Sequence, residues 1–210
     1  MKRFLLLSAF LLGFVTGRAD QQSDMLLNAV RTKIQSYKSY RVGFTAAVEG
    51  EGTTNGRLTV SGRRFVAAVF GQELYYDGTT LWNYLPKAQE VTVERLDPAD
   101  PNILSNPAKL LNIDPKDFEH RSLPAVTTPQ GKKLQAVELK PKQAAADYTA
   151  LTLYIDPSTS LPARISIATT GNDRPIELQI QEWKINFPVS EATFRFDPKA
   201  HPGVEVIDFR

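Results

Sequence analysis

Residues 77–86 read Asp77-Gly78-Thr79-Thr80-Leu81-Trp82-Asn83-Tyr84-Leu85-Pro86, a turn followed by an aromatic-rich strand. Asp-Gly favours the tight hairpin turn, and Trp, Tyr, Thr and Leu are typical of strands. Glu73–Tyr76 before this block and Gln89–Leu96 after it also have strand composition. This region therefore predicts consecutive antiparallel strands joined by short turns.

The chain ahead of the hairpin alternates with a period of two residues. Between Tyr40 and Glu49, the even positions carry Tyr, Val, Phe, Ala and Val, while polar or small residues occupy the odd ones. Successive side chains of a strand point to opposite faces. We therefore expect Val42 and Phe44 on one face and Arg41 and Thr45 on the other.

A second pair of strands is predicted between these two regions. Asn55-Gly56 indicates a turn, after which Arg57–Ser61 and Arg64–Phe70 have strand character. The same alternation places Leu58 and Val60 on one face.

The middle of the chain breaks the strand pattern. Asp97–Pro101 is rich in Asp-Pro pairs, and Asn106–Ile113 predicts a short helix, with Asn106 as its cap and Pro107 in its first turn. Strand patterns then return, and the predicted strands are 134–140, 148–155, 163–170, 176–185, 193–196 and 204–207.

Short connections between sequential strands predict an antiparallel meander, and about ten such strands must curl into a barrel or an open, curved sheet. An amphipathic helix is predicted at 23–37, where Leu26, Val30 and Ile34 recur on one face. The fold class is therefore mainly β, an incomplete antiparallel barrel whose apolar cavity is covered by a short helical lid. We expect residues 20–210 to form a single domain.

The N-terminus has the features of a secretory signal. Lys2 and Arg3 precede an apolar run over residues 4–15, and Gly17-Arg18-Ala19 offers a cleavage site after Ala19. The apolar run is shorter than the roughly 20 residues of a membrane-spanning helix. We expect residues 1–19 to be removed and the mature protein to be soluble in the periplasm.

Composition excludes several function classes. The sequence has no cysteine, so it forms no disulfide and offers no cysteine for lipidation. Loss of residues 1–19 would reduce the 25 basic groups by three, to 22 against 23 acidic ones, and change the net charge from +2 to −1. A chain of this charge is not expected to bind nucleic acid through electrostatics.

Catalytic residues are not evident. The two histidines, His120 and His201, stand alone among prolines and charged residues, and we expect both to be isolated on the surface. Neither a phosphate-binding glycine loop nor a nucleophile elbow is present. Asp97 and Asp100 fit turn chemistry. No metal, cofactor or enzymatic activity is predicted, although a hydrolase with carboxylates on distant strands stays open.

Aromatic side chains crowd the first half of the predicted sheet. They pack a core or line a cavity that the protein's own side chains do not fill, and a curved sheet covered by short helices favours the cavity. Such a space suits a hydrophobic ligand.

The Asp-Gly…Leu-Trp-x-Tyr-x-Pro block of residues 77–86, followed by Glu90-Val91-Thr92-Val93, resembles the hairpin of the outer-membrane lipoprotein carrier proteins, the LolA family. The flanking segments agree in order with that family and extend the resemblance over nearly the whole chain after residue 19. These segments are Tyr37–Tyr40, Gly56–Val60, Phe194–Pro198 and Pro202–Asp208.

The resemblance implies a periplasmic carrier that accepts triacylated lipoproteins from an inner-membrane ABC transporter and delivers them to the outer membrane, where a receptor is a further candidate partner. It implies a monomer without a cofactor. The alternative is a relative with the same fold that binds another lipid, or that senses envelope stress through a protein partner.

The family also has an arginine that links the barrel to the lid. Arg64 and Arg63 stand in the corresponding place, without the proline usual there, and both are candidates for this latch. The residues expected to line the lipid cavity are Val42, Phe44, Leu58, Val60, Phe65, Trp82, Tyr84, Leu110 and Leu111.

Overall fold

The computed structural model describes residues 16–50, 52–97, 100, 102–103, 105–143 and 147–210. Residues 1–15 of the predicted signal lie outside the described residues, so its removal stays a prediction. The described chain contains helix α1, Thr16–Gln35, which begins earlier and ends earlier than the helix predicted at 23–37. None of the helices within the described residues is long and apolar enough to span a membrane.

The described strands all belong to one sheet. They are β1 (Ser39–Val48), β2 (Gly52–Ser61), β3 (Arg64–Val69), β4 (Gln72–Tyr76), β5 (Thr80–Leu85), β6 (Glu90–Arg95), β7 (Phe118–Thr127), β8 (Lys133–Pro141), β9 (Tyr148–Asp156), β10 (Leu161–Thr169), β11 (Ile176–Ile185) and β12 (Glu205–Asp208).

The sheet consists of two meanders joined by one strand pair. Strands β1–β6 follow one another, strands β7–β11 do the same, and β1 pairs with β11. Neighbouring strands are antiparallel except β6 and β12, which run parallel. Strands β7 and β12 are the two ends of the sheet and do not pair with each other, so the barrel is open. The predicted mainly β, incomplete barrel is confirmed.

Alternation along the strands builds one large core. The apolar side chains of β1–β5 and β8–β11 lie in the same buried cluster as Leu27, Val30 and Ile34 of α1. Because side chains from both halves of the sheet join one buried cluster with those of α1, the sheet curves around the helix. We call the face that carries α1 the inner face and the opposite one the outer face.

Residues 96–117, here called the crossover, run from β6 near one end of the sheet to β7 at the other. The helix predicted at 106–113 is wrong in type, because these residues contain only a 3₁₀ turn, Pro107–Leu110. A second 3₁₀ turn, Pro115–Asp117, follows it in the crossover. Asn106 makes no side-chain capping bond. A proline within the segment removes a backbone donor, so a continuous α-helix is disfavoured.

Residues 186–204, here called the outer strap, lie against the outer face. The strand predicted at 193–196 is wrong, because Glu191–Phe194 is a 3₁₀ turn in which the Ser190 hydroxyl oxygen accepts from the Ala192 N–H. Phe194 is fully buried. The strap therefore covers sheet surface that would otherwise face water.

The turn predicted at Asn55-Gly56 is also wrong, because β2 continues through both residues and the chain reverses before Gly52. Gly56 pairs with Phe44 of β1. A Cβ atom on Gly56 would lie 2.2 Å from Phe44 Cε2, so the ring occupies the space that a side chain would need. Glycine here serves aromatic packing across the strand pair rather than a turn.

We expect Gly56→Ala to lower the free energy of unfolding by about 1–3 kcal/mol, because the new methyl group displaces the Phe44 ring. Chemical denaturation measures this. Gly43→Ala is the control, since its Cβ meets only the Glu182 side chain, at 3.0 Å, and that side chain is flexible. Equal losses for the two variants would contradict the ring-packing explanation.

A buried carboxylate fixes the turn between β9 and β10. Asp156 is 4% exposed and accepts hydrogen bonds from Lys132 Nζ at 2.5 Å and from the Ser158 hydroxyl at 2.7 Å. Burial alone would raise the pKa of Asp156, but these donors and Thr159 lower it to about 2.

Because the folded pKa lies below the unfolded one, the ionised Asp156 stabilises the fold above pH of about 4, and this stability is lost as the pH falls towards 2. We expect Asp156→Asn to cost about 2 kcal/mol at pH 7 and markedly less at pH 3. Urea unfolding of both proteins at the two pH values measures the difference. A cost independent of pH would show that the carboxylate charge is irrelevant.

Candidate functional site

The inner face is closed by two elements that lie over it, α1 and the crossover, here together called the cover. Leu110 and Leu111 of the crossover are buried in the same cluster as α1 and the sheet, and Ile103 and Ile113 join them. The cover therefore excludes water from the apolar interior of the curved sheet.

Polar contacts connect the parts of the cover at its surface. Arg31 of α1 forms an ion pair with Asp114 of the crossover at 3.0 Å, and Gln35 Nε2 donates to Asn112 Oδ1 at 3.2 Å. Surface contacts of this kind contribute about 0–1 kcal/mol each. They orient the crossover without holding it as firmly as a strand ladder would.

The first half of α1 is fixed to β7 by a histidine. Ser23 Oγ lies 2.8 Å from His120 Nδ1, and His120 Nε2 lies 3.3 Å from Asp24 Oδ1. The His120 side chain is only 12% exposed, so the expected isolated surface histidine is wrong. His201 is likewise packed, 4.7 Å between ring centroids from Phe196. No local pattern indicates these contacts, because the partners are far apart in sequence.

Two cavities flank the crossover. The first, of about 350 Å³, lies where α1 ends, and we call it the mouth cavity. The second, of about 570 Å³, lies beside the start of β7. Lys109 and Asn112 line both, so the crossover is the partition between them.

The structure brings most of the predicted wall residues together. They lie in or against the inner cluster, and they are Val42, Phe44, Leu58, Val60, Phe65, Leu110 and Leu111. Val60 lines the mouth cavity, whereas Phe65 is fully buried among other side chains. We call this arrangement, in which the cover lies over the inner face, the closed state. In it the interior is largely filled by the protein's own residues.

Trp82 and Tyr84 lie elsewhere. Leu81 belongs to the inner cluster, so its neighbour Trp82 and then Tyr84 point to the outer face. There Tyr84 packs 4.9 Å, between ring centroids, from Phe196 of the outer strap. The prediction that they share a wall with Phe65 is wrong, because the period of two separates them.

The two latch candidates also point in different directions. Arg64 reaches the outer strap, where Nη1 lies 2.6 Å from Glu191 Oε1 and the guanidinium stands over the Phe194 ring. It therefore does not contact the crossover. Arg63 lines the mouth cavity with Asn106, whose Oδ1 atom is buried without a hydrogen-bond partner among the described residues. Arg63 alone stays a candidate for the latch.

Burial dominates the electrostatics of this region. Tyr40, on the floor of the mouth cavity, is 5% exposed, and desolvation raises the pKa of its hydroxyl. The pKa of Tyr37 is raised for the same reason. Within the described part of the chain, no group of three or more His, Asp or Glu residues is placed to hold a metal ion.

These features define a class of protein, an open antiparallel barrel in which one helix and one crossing segment cover an apolar interior. The family model for the outer membrane lipoprotein carrier protein LolA matches residues 67–197, which is more than half of the sequence. The chain belongs to this family. The comparison with curated proteins returned no match.

One solved structure shares the fold at low sequence identity, and two others align with lower TM-scores. An uncharacterized conserved protein from Thermus thermophilus aligns with a TM-score of 0.59 and 14% identity, over 90% of this chain and 100% of that one. The lipoprotein LppX of Mycobacterium tuberculosis aligns with a TM-score of 0.46 and 14% identity, over 82% and 99%. A LolA superfamily protein from Nitrosomonas europaea gives 0.41 and 13%, over 86% and 99%.

Proposed function

We propose that the protein is a periplasmic carrier that shelters the acyl chains of lipoproteins on their way from the inner to the outer membrane. It works without catalysis and as a monomer. Its cargo would come from an inner-membrane lipoprotein-releasing ABC transporter and pass to the outer membrane, with a receptor there as a further partner.

The family membership and the interior divided by the crossover support this proposal. The divided interior is the main observation behind it. Two cavities lie on opposite sides of the crossover and share the lining residues Lys109 and Asn112, so an outward movement of that segment would make them continuous. Each is within the roughly 300–1,000 Å³ of ordinary ligand sites. Every acyl methylene taken out of water contributes about 0.8 kcal/mol, which offsets the loss of the weak surface contacts of the cover.

Native mass spectrometry of the protein purified from cell envelopes, before and after lipid extraction, tests the proposal. We expect bound acylated species before extraction and renewed uptake of a triacylated lipopeptide afterwards. A lipid-free mass that takes up no lipopeptide would refute carriage. Retention of a different lipid with no lipopeptide uptake would favour a lipid-binding relative of the same fold.

Arg63→Leu should slow cargo release by about fivefold. Arg63 and Asn106 line the same cavity, so a rotation of the Arg63 side chain that lets it donate to Asn106 Oδ1, which has no partner among the described residues, would stabilise the closed, unloaded state by about 1 kcal/mol. Without that donor the equilibrium shifts towards the open, loaded state. Transfer of a fluorescent lipopeptide to acceptor vesicles measures the rate.

The matched control is Arg64→Leu, which removes the same charge one residue away but disturbs contacts with Glu191 and Phe194 on the outer face. Its release rate should equal that of the unmodified protein. A slower release by Arg64→Leu together with a normal rate for Arg63→Leu would reverse the assignment.

A further inference from the structure

The mouth cavity carries positive charge around an apolar floor. Its cationic lining residues are Lys38, Arg63 and Lys109, and no Asp or Glu occurs among its described lining residues. Ile34, Tyr40 and Val60 form part of the floor. Such a site is amphipathic, with one region suited to an apolar chain and a rim suited to an anion.

Two of these cations have no acidic partner within the described part of the chain. Neither Lys38 nor Arg63 forms an ion pair among the residues that the structure describes. Lys109 donates to the Asp100 carbonyl oxygen and is therefore not assigned to anion recognition. The local excess of positive charge is not a property of the whole chain, whose net charge is only +2.

The second cavity differs in this respect. Asp114 and Asp117 line it together with Lys109, Lys116 and Lys142, so charges of both signs are present. The field of an unbalanced cluster attracts an anion, while a mixed one does so far less. The two cavities therefore differ in charge. The mouth cavity is cationic, whereas the second cavity carries charges of both signs.

We propose that the mouth cavity binds the anionic head of an amphiphile, of the phosphate monoester type, while the acyl chain lies in the interior beneath the cover. This inference rests on the proposed function, since it requires an interior that accepts an acyl chain. It adds selectivity for head-group charge, in which Lys38 and Arg63 are the groups that recognise the anion.

Three detergents with the same dodecyl tail test the proposal: dodecyl phosphate, zwitterionic dodecyl phosphocholine and uncharged dodecyl maltoside. Calorimetric titration of the delipidated protein below their critical micelle concentrations gives each dissociation constant. We expect dodecyl phosphate to bind about 3- to 10-fold more tightly than the other two, as ion pairs with two exposed side chains allow. Raising the ionic strength to about 1 M, where the Debye length is about 3 Å, should remove most of this preference.

The double variant Lys38→Gln/Arg63→Gln should lose the preference. The ratio of the affinities for the anionic and uncharged detergents is the readout, because a change in opening of the cover affects both detergents equally. The control Lys87→Gln/Lys199→Gln removes the same charge from exposed positions away from the cavity and should keep the preference.

Each outcome decides a separate point. Similar affinities for all three detergents would overturn the charge selectivity and leave acyl carriage standing. No binding of any detergent would refute acyl carriage and the inference with it. Inorganic phosphate should not compete, and competition as strong as that of dodecyl phosphate would show a simple anion site instead. A preference that survives in Lys38→Gln/Arg63→Gln would also overturn the inference.

Discussion

Phe65→Ala is expected to lower the free energy of unfolding by about 3–5 kcal/mol, because Phe65 is fully buried in the inner cluster and its removal leaves a cavity. Its ring lies 5.3 Å, between centroids, from that of Tyr76, a contact that is lost with it. Equilibrium denaturation in urea measures the change.

Phe44→Ala is the comparison within the same face. Phe44 is only partly buried, and its ring covers Gly56 rather than filling the centre of the cluster. We expect a smaller loss of stability than for Phe65→Ala, together with weaker uptake of a fluorescent acyl probe. A large loss for Phe44→Ala with unchanged uptake would place Phe44 in the packed core and remove it from the lipid wall.

Tethering the cover should abolish acyl uptake. In Gln35→Cys/Asn112→Cys, the two side chains that touch in the closed state can be joined by a short bis-maleimide. The absence of native cysteine makes the reaction specific. We expect at least a tenfold loss of probe binding after cross-linking, because the crossover can no longer separate from α1.

The matched tether joins the outer strap to the sheet. Arg64→Cys/Glu191→Cys replaces a contact of 2.6 Å on the outer face, which the proposed opening does not involve. Cross-linking there should leave uptake unchanged. Normal uptake by the inner tether would show that the cover does not need to move, and loss of uptake by both tethers would indicate a general effect of rigidity.

Local patterns predicted the strands well. The strand around Val42 and Phe44 could be predicted because its apolar residues alternate along the sequence. The turn at Asp77-Gly78 could be predicted because these two residues themselves favour it. The same rule also separates Leu81 from Trp82 and Tyr84. The aromatic content of this hairpin suggested a single cluster, but the strand period divides it between two faces.

The sequence was less informative where distant segments meet. Asn55-Gly56 has turn composition, yet Phe44 on the neighbouring strand explains the glycine. The outer strap covers Tyr84 through residues more than a hundred positions later, so no window around Trp82 and Tyr84 could show it. Likewise, only tertiary contacts distinguish Arg63 from Arg64.

The pairing of β1 with β11 has a consequence for the order of folding. Tyr40 pairs with Ile185, so the first strand completes its second ladder only after almost the whole chain has been synthesised. Contacts between such distant residues require closure of a long loop and are associated with slow folding. Until β11 pairs with β1, one edge of β1 has unpaired backbone groups. That edge can associate with other chains during this time.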